Sequence, residues 1–189
     1  MEYQLLTPSI SVKGLTPIER VFANRGIDPA DIDHYLHTSR EDILNPELLA
    51  NIKPGAQMLI KHLYAEDLIY VFVDPDVDGF TSAALLINYI NKIAPGIAQT
   101  CIQYHIPKDK QHGIILEDIP PETKLVICPD AASNDYSQHE ELFQRGIDVL
   151  ILDHHEADKV SQYACIINNQ LCDYPNKQLS GVGVVYKFC

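Results

Sequence analysis

From residue 69 onward the chain alternates short apolar runs with segments of helical pattern, and this alternation restricts the fold more than any other feature. The apolar runs are short and rich in β-branched residues, as is typical of strands buried on both faces. Strands that alternate with helices form parallel sheets with right-handed crossovers. We therefore predict an α/β domain, a parallel β-sheet flanked by helices. The predicted strands are 69–73, 99–106, 124–128, 149–152 and 164–167, and the predicted helices are 81–93 and 138–145.

The residues before this alternation have a helical pattern instead. Thr16-Pro17-Ile18-Glu19 is a capping box with proline at the first helical position, and Asp28 also precedes a proline. The predicted elements are helices starting at Thr16 and Asp28, a loop over 38–54 and a helix over 57–64. We therefore predict an N-terminal helical segment over 1–68 that packs on a core domain over 69–189.

Composition limits the classes of function. The chain has 14 basic and 26 acidic residues and a net charge of −12, which argues against a broad basic surface for nucleic acid. No apolar run approaches the ~20 residues that span a bilayer, so no membrane partner is predicted. The N-terminus lacks a signal-peptide pattern. Five cysteines without a Cys-x-x-Cys pair are typical of reduced thiols in a cytoplasmic protein, with Cys101 and Cys128 predicted inside strands.

Three aspartates follow the first predicted strand. Asp74, Asp76 and Asp78 occupy alternate positions and end at Gly79, which we expect to permit a tight turn into the next helix. Alternate residues of an extended segment project to the same side, and three carboxylates so placed repel one another unless cations lie between them. A calcium loop of the EF-hand type is the alternative. That loop requires glutamate at its twelfth position, where this chain has Leu85.

Two further polar clusters follow predicted strands. Asp130 is followed by small residues, including Ser133, that leave room for a ligand, although an aspartate here could also be a helix cap. Asp153-His154-His155 could be an exposed polar turn. Adjacent histidines face different directions, however, and a neighbouring carboxylate can orient an imidazole. Because the carboxyl ends of parallel strands share one edge of a sheet, the three clusters together predict a site for divalent metal ions.

The type of ligand indicates the type of ion. Carboxylate oxygens mixed with imidazole nitrogens favour manganese, magnesium or iron over a closed thiolate zinc site. Two such ions about 3.5–4 Å apart would clamp a phosphate group and activate water. The residues therefore point towards phosphoryl chemistry.

These motifs resemble the DHH phosphoesterase superfamily and, within it, the RecJ-type single-strand-specific exonucleases. The Asp-x-Asp-x-Asp-Gly sequence of residues 74–79 is similar to the first motif of that family, and Asp130 stands where the second motif has its aspartate. Asp153-His154-His155 is similar to the third motif, which gives the superfamily its name. Outside the motifs, residues 24–27, 106–107 with Gly113, and 180–188 are also similar to RecJ sequences.

The resemblance implies a phosphodiesterase that uses two ions, Mn2+ or Mg2+. It implies that Asp130 bridges the two ions. Asp76 would be a further ligand of one ion, and Asp78 and His154 would be further ligands of the other.

The resemblance also implies roles for the remaining polar residues. His155 would contact the scissile phosphate, Asp153 would support the histidines, and Asp74 would lie at the edge of the ion site; we expect all three to be catalytic. The expected substrate-binding residues are Lys108, Lys110, His112 and Ser133.

The chain departs from the RecJ pattern in several places. Val73 replaces a glycine, and Gly113-Ile114-Ile115 stands where Gly-Tyr-Gly is expected, so the nearby lysines and His112 would have to replace an expected arginine. The aspartate of the fourth motif and the domains that hold the DNA would fall after residue 189. We therefore expect this chain to be part of a longer protein and to bind single-stranded DNA through downstream parts. Alone, we expect it to hold metal poorly and to be inactive.

The function that the resemblance implies is 5′→3′ exonuclease activity on single-stranded DNA in repair or recombination, with release of 5′-mononucleotides. A small-nucleotide phosphodiesterase, of the oligoribonuclease or cyclic-dinucleotide type, is the first alternative. Those enzymes place a histidine where this chain has Phe72. The second alternative is a non-catalytic module that keeps the fold without a complete metal site.

Overall fold

The structure is a computed structural model that describes residues 14–107 and 111–189. The chain forms two compact units, one that ends at Leu44 and one that runs from Asn45 to Cys189. Within the described residues, no helix combines the length and the apolar character that a membrane crossing requires.

The smaller unit is helical, as its sequence predicts. Helix α1 covers Pro17–Asn24 and helix α2 covers Ile32–Leu36, with short 3-10 turns at Pro29–Asp31 and Arg40–Asp42. The predicted capping box is present at the start of α1, because the Thr16 hydroxyl accepts the Glu19 N–H and the Glu19 carboxylate accepts the Thr16 N–H.

The larger unit contains the sheet. Its helices are α3 (Ile52–Ala65), α4 (Val77–Ile93), α5 (Pro95–Cys101), α6 (Tyr136–Gln144) and α7 (Gly181–Phe188), with 3-10 turns at Pro46–Leu48 and Leu116–Asp118. Its strands are β1 (Leu68–Phe72), β2 (Ile102–His105), β3 (Thr123–Pro129), β4 (Asp148–Asp153) and β5 (Cys165–Asn168).

The sheet that these described strands form has the order β2-β1-β3-β4-β5, and every neighbouring pair is parallel. The predicted fold class is therefore confirmed. Because β1 separates β2 from β3, the chain changes its direction of winding between β1 and β3. In open parallel sheets, ligands bind beyond the carboxyl ends of the strands at such a switch point. This topology places the residues after β1 and β3 where a site is expected.

Helices cover both faces of the sheet. Alternate strand residues such as Val126 and Ile151 form one core cluster with Leu142 of α6. On the opposite face α3 approaches closely, since a Cβ added to Gly55 would lie 2.8 Å from Ile167 Cδ1 and 3.1 Å from Leu150 Cδ1. Burial on both faces explains why the strands have continuous apolar sequences rather than alternating ones.

Some predicted element boundaries were wrong. The predicted strand 99–106 begins at Ile102, because Pro95 at a first helical position starts α5, which continues through Cys101. Cys101 is therefore buried at a helix end rather than inside a strand. The predicted loop 38–54 contains the start of α3 at Ile52, since proline is tolerated in a first turn, where its missing N–H has no helical partner.

Candidate metal centre

The three polar clusters meet at the carboxyl edge of the sheet. Asp74 lies after β1, Asp130 directly after β3, and Asp153 ends β4. All three line a cavity of about 290 Å³. Four further lining residues from the loops around it are His112, Ser133, Asp135 and His155.

Asp130 has the least compensated environment in this cavity. The residue is 1% exposed, and neither carboxylate oxygen has a hydrogen-bond partner among the described residues. Burial, followed by the nearby carboxylates of Asp78 and Asp76, raises the pKa of Asp130 to about 8. Its backbone has a φ of 72°, a conformation that costs free energy for a residue with a side chain. A buried carboxylate without a donor is the arrangement that a bound cation would compensate.

Two groups of side chains among the described residues are close enough to hold a metal ion. One comprises Asp130, His154 and His155, and the other comprises Asp74, Asp76 and Asp130. Within each group the potential ligand atoms lie within 4.8 Å of one another. Asp130 belongs to both groups, so its two oxygens could serve two neighbouring ions. The donor sets contain carboxylates and imidazoles, which suit Mn2+ or Mg2+.

The aspartates after β1 have three different environments. Asp74 is buried, which raises its pKa, and it accepts a hydrogen bond from His112 Nδ1 at 2.9 Å. Asp76 caps α4 by accepting the Gly79 N–H at 2.9 Å. Asp78 accepts the N–H groups of residues 181 and 182, each at 2.8 Å. Asp78 belongs to neither group of potential ligands found in the described part of the chain, and its predicted metal role remains a prediction.

Gly79 allows a close approach between α4 and the segment that follows β1. It lies inside α4 rather than in a turn with positive φ. A Cβ at Gly79 would lie 2.4 Å from Asp74 Cβ and 2.5 Å from the Asp74 carbonyl oxygen. Glycine is needed here because α4 starts against the backbone that carries Asp74.

The two histidines are held by different partners. His154 Nδ1 lies 2.9 Å from the Leu179 carbonyl oxygen, and His154 Nε2 lies 3.3 Å from Asp130 Oδ1. His155 Nδ1 lies 2.8 Å from Asp153 Oδ1, and this hydrogen bond raises the pKa of His155 to about 9. In each ring the Nδ1 atom is engaged by the protein, so Nε2 is the atom left for a ligand.

Asp153 is a buried anchor for these groups. The residue is 1% exposed, and its carboxylate accepts the N–H groups of His154 at 2.7 Å and Ser133 at 3.1 Å. Burial alone would raise its pKa, but hydrogen bonds from His155 and Ser133 outweigh burial and hold the pKa below its usual value. An ionised Asp153 therefore fixes the orientation of the His155 ring.

Sequence reasoning missed two residues that support this edge. Asn168 Nδ2 donates to Ser133 Oγ and to the His155 carbonyl, each at 2.9 Å. Asp135 accepts the Ile114 N–H at 2.8 Å and so holds the segment that carries His112. No local pattern marks Asn168, because its partners come from other loops.

The predicted substrate-binding residues divide into two classes. His112 and Ser133 line the cavity, although Ser133 is buried and its hydroxyl already accepts a hydrogen bond. Lys108 and Lys110 lie outside the residues that the structure describes.

One protein family matches the whole region that carries this cavity. A family model described as the DHH family, N-terminal domain, matches residues 68–189. The chain belongs to the DHH family. The predicted resemblance is thus confirmed, and the matched region begins at β1 and includes every residue of the cavity.

The chain is similar to curated relatives whose names describe single-strand DNA-specific exonucleases. It is 40% identical over 190 residues to YorK, an SPbeta prophage-derived protein of Bacillus subtilis strain 168 that is provisionally assigned as a single-strand DNA-specific exonuclease. The alignment covers 100% of this chain and 32% of YorK. The single-stranded-DNA-specific exonuclease RecJ of the same organism is 27% identical over 184 residues, which cover 92% of this chain and 23% of RecJ. The chain thus spans about a third or less of these relatives.

Solved structures share the DHH fold. A crystal structure of exonuclease RecJ bound to manganese has a TM-score of 0.65 at 22% identity, covering 77% of this chain and 38% of that chain. RecJ from Thermus thermophilus, in complex with Mn2+, has a TM-score of 0.61 at 23% identity, covering 92% of this chain and 27% of that chain. At these identities the likeness establishes the fold.

Proposed function

We propose that this chain is the metal-binding part of a phosphodiester hydrolase, a 5′→3′ exonuclease that acts on single-stranded DNA. The observation that carries the proposal is Asp130. Its two buried oxygens have no partner among the described residues, and it belongs to both groups of potential metal ligands. Such a carboxylate suits a bridging role between two divalent ions.

The donor atoms fit Mn2+ or Mg2+. Asp76 and Asp130 would hold one ion, and Asp78, Asp130 and His154 would hold the other. The Asp78 oxygens already accept backbone N–H groups, but an ionised carboxylate has about four lone-pair positions and can also bind an ion. His154 has Nε2 available, since Nδ1 faces the Leu179 carbonyl.

The protein groups would act on the phosphate in separate ways. Ions bound at such a site polarise the phosphate oxygens and lower the pKa of water. His155, oriented by Asp153, lines the cavity and would donate to the scissile phosphate. His112, held on Asp74, lies at the same cavity and would contact a neighbouring phosphate, together with Lys108 and Lys110.

Single-stranded DNA is the substrate that the relatives support. The names of YorK and RecJ specify this substrate. The RecJ resemblance is the basis for the proposed 5′→3′ direction and for the proposed role in repair or recombination. With a net charge of −12, this chain carries an excess of negative charge, which repels the DNA backbone. We therefore propose that further parts of the protein, corresponding to those of its longer relatives, hold the strand.

A chimera tests the proposal in a complete nuclease. This chain would replace the matching third of YorK, and release of mononucleotides from 5′-phosphorylated single-stranded DNA would be measured with Mn2+. We expect turnover that is lost in Asp130→Asn and retained in Asp173→Asn, an exposed aspartate used as the control.

Two other results would argue against this proposal. Cleavage of dinucleotides without release from DNA would favour the small-nucleotide phosphodiesterase. A folded chimera that neither releases nucleotides nor binds Mn2+ in calorimetry would contradict the proposed hydrolase.

A further inference from the structure

The first turn of α7 is packed against Asp130 more closely than any side chain would allow. A Cβ added to Gly181 would lie 1.9 Å from Asp130 Oδ1, 2.4 Å from Cγ and 2.7 Å from Cβ. Real Cβ atoms essentially never approach other atoms within 3.0 Å. Gly181 has no positive φ, and it lies in a helix, where glycine stabilises the helical conformation less than alanine does. The backbone conformation therefore does not require glycine at position 181, whereas the close contact with Asp130 does.

The same turn holds two other residues of the centre. The N–H groups of Gly181 and Val182 both donate to the Asp78 carboxylate. The Leu179 carbonyl, directly before the helix cap Ser180, faces His154 Nδ1. The start of α7 thus contacts Asp78 in the first turn of α4 and residues that follow β3 and β4.

We propose that Gly181 is a positioning residue of the metal centre. Because it has no side chain, the Asp130 carboxylate can lie against the helix start while the backbone of that turn holds Asp78. A side chain here would displace Asp130 from the position it shares between the two ligand groups. This inference rests on the proposed function, in which Asp130 at that position is a ligand of both ions.

Gly183 provides a matched control in the same turn. A Cβ there would meet Leu179 Cδ2 at 3.3 Å and Ser180 Oγ at 3.5 Å, both at the ends of side chains. Gly181→Ala and Gly183→Ala therefore introduce the same methyl group into the same helix. They differ in whether the methyl group meets Asp130.

The first experiment uses calorimetry to measure Mn2+ binding to the YorK chimera that carries this chain. We expect Gly181→Ala to weaken binding roughly 10–100-fold, as is typical when a residue that orients a ligand is changed. Gly183→Ala should bind like the unmodified chimera. Equal affinities for the two variants would overturn the proposal.

A second experiment needs no metal and no activity. Urea unfolding midpoints would be compared for Gly181→Ala, Asp130→Gly and the double variant. Asp130→Gly removes the three side-chain atoms that a Cβ at Gly181 would meet, and glycine suits the φ of 72°. We expect Gly181→Ala to lower the midpoint, or to prevent folding, when Asp130 is present, and to have little effect beside Asp130→Gly.

The two experiments separate the inference from the function on which it rests. Equal losses of midpoint in both backgrounds would overturn the steric role of Gly181. If the unmodified chimera and its Gly183→Ala variant both fail to bind Mn2+, the proposed function fails, and the unfolding comparison still decides whether Gly181 positions Asp130.

Discussion

His154 Nδ1 lies 2.9 Å from the carbonyl oxygen of Leu179. A carbonyl oxygen can only accept a hydrogen bond, so Nδ1 carries the proton and donates it. Neutral imidazole then has its lone pair on Nε2, which lies 3.3 Å from Asp130 Oδ1. His154 is therefore prepared as a ligand, whereas the hydrogen bond with the Asp153 carboxylate raises the pKa of His155 to about 9 and favours a protonated ring that donates.

This difference predicts separate effects for the two histidines. His154→Ala should weaken Mn2+ binding by more than about 100-fold, beyond the loss typical of outer-shell partners, because it removes a ligand. His155→Ala should largely retain Mn2+ binding but slow turnover of the YorK chimera by about 100-fold or more, as expected for loss of a donor to the reacting phosphate. Calorimetry and nucleotide release measure the two effects. Equal losses of affinity in both variants would refute the division of roles.

The position of Asp130 in both ligand groups predicts a stoichiometry. Asp130→Asn should abolish binding of both ions, because the neutral amide removes the ligand that the two sites share. Asp76→Asn should remove only one ion, since Asp76 belongs to one group. Counting bound Mn2+ after equilibrium dialysis distinguishes these results. Retention of one ion in Asp130→Asn would mean that Asp130 does not bridge.

Asp135 should control the segment that carries His112. Asp135→Ala removes the acceptor of the Ile114 N–H, and Gly113 beside it adopts a positive φ of 79° against the same carboxylate. We expect hydrogen exchange of residues 111–116 to increase roughly tenfold or more, consistent with loss of a hydrogen bond to a charged group. Mass spectrometry of that peptide measures the effect, with Asp173→Ala as a charge-matched control. Unchanged exchange would show that other contacts hold the segment.

Asn168 should contribute to stability as well as to the site. Asn168→Ala leaves Ser133 Oγ and the His155 carbonyl without their buried donor. The free energy of unfolding should fall by about 1–3 kcal/mol, the typical cost of unsatisfied buried groups. Urea denaturation measures this loss. Asn91→Ala, at an exposed position of α4, should change the free energy by less than about 0.5 kcal/mol. Equal effects of the two substitutions would contradict the structural role of Asn168.

Local sequence patterns were sufficient for much of the fold. β-branched runs predicted β1, β3 and β4, and the capping box predicted α1, because strand and cap preferences depend on residues close together in the chain. The prediction was wrong at residues 99–101. There a proline four residues upstream started α5, although the segment itself resembled a strand.

The sequence by itself determined which chemistry the chain could carry. Carboxylates and histidines directly after parallel strands must share one sheet edge, so their presence there followed from local pattern and topology alone. Only the tertiary structure decided how these groups are held. Asp78 meets the Gly181 N–H across 103 residues of sequence, and Gly181 must lack a side chain because Asp130 fills that space. Contacts between residues so distant in the chain depend on how the loops pack, and no local periodicity or propensity records that packing.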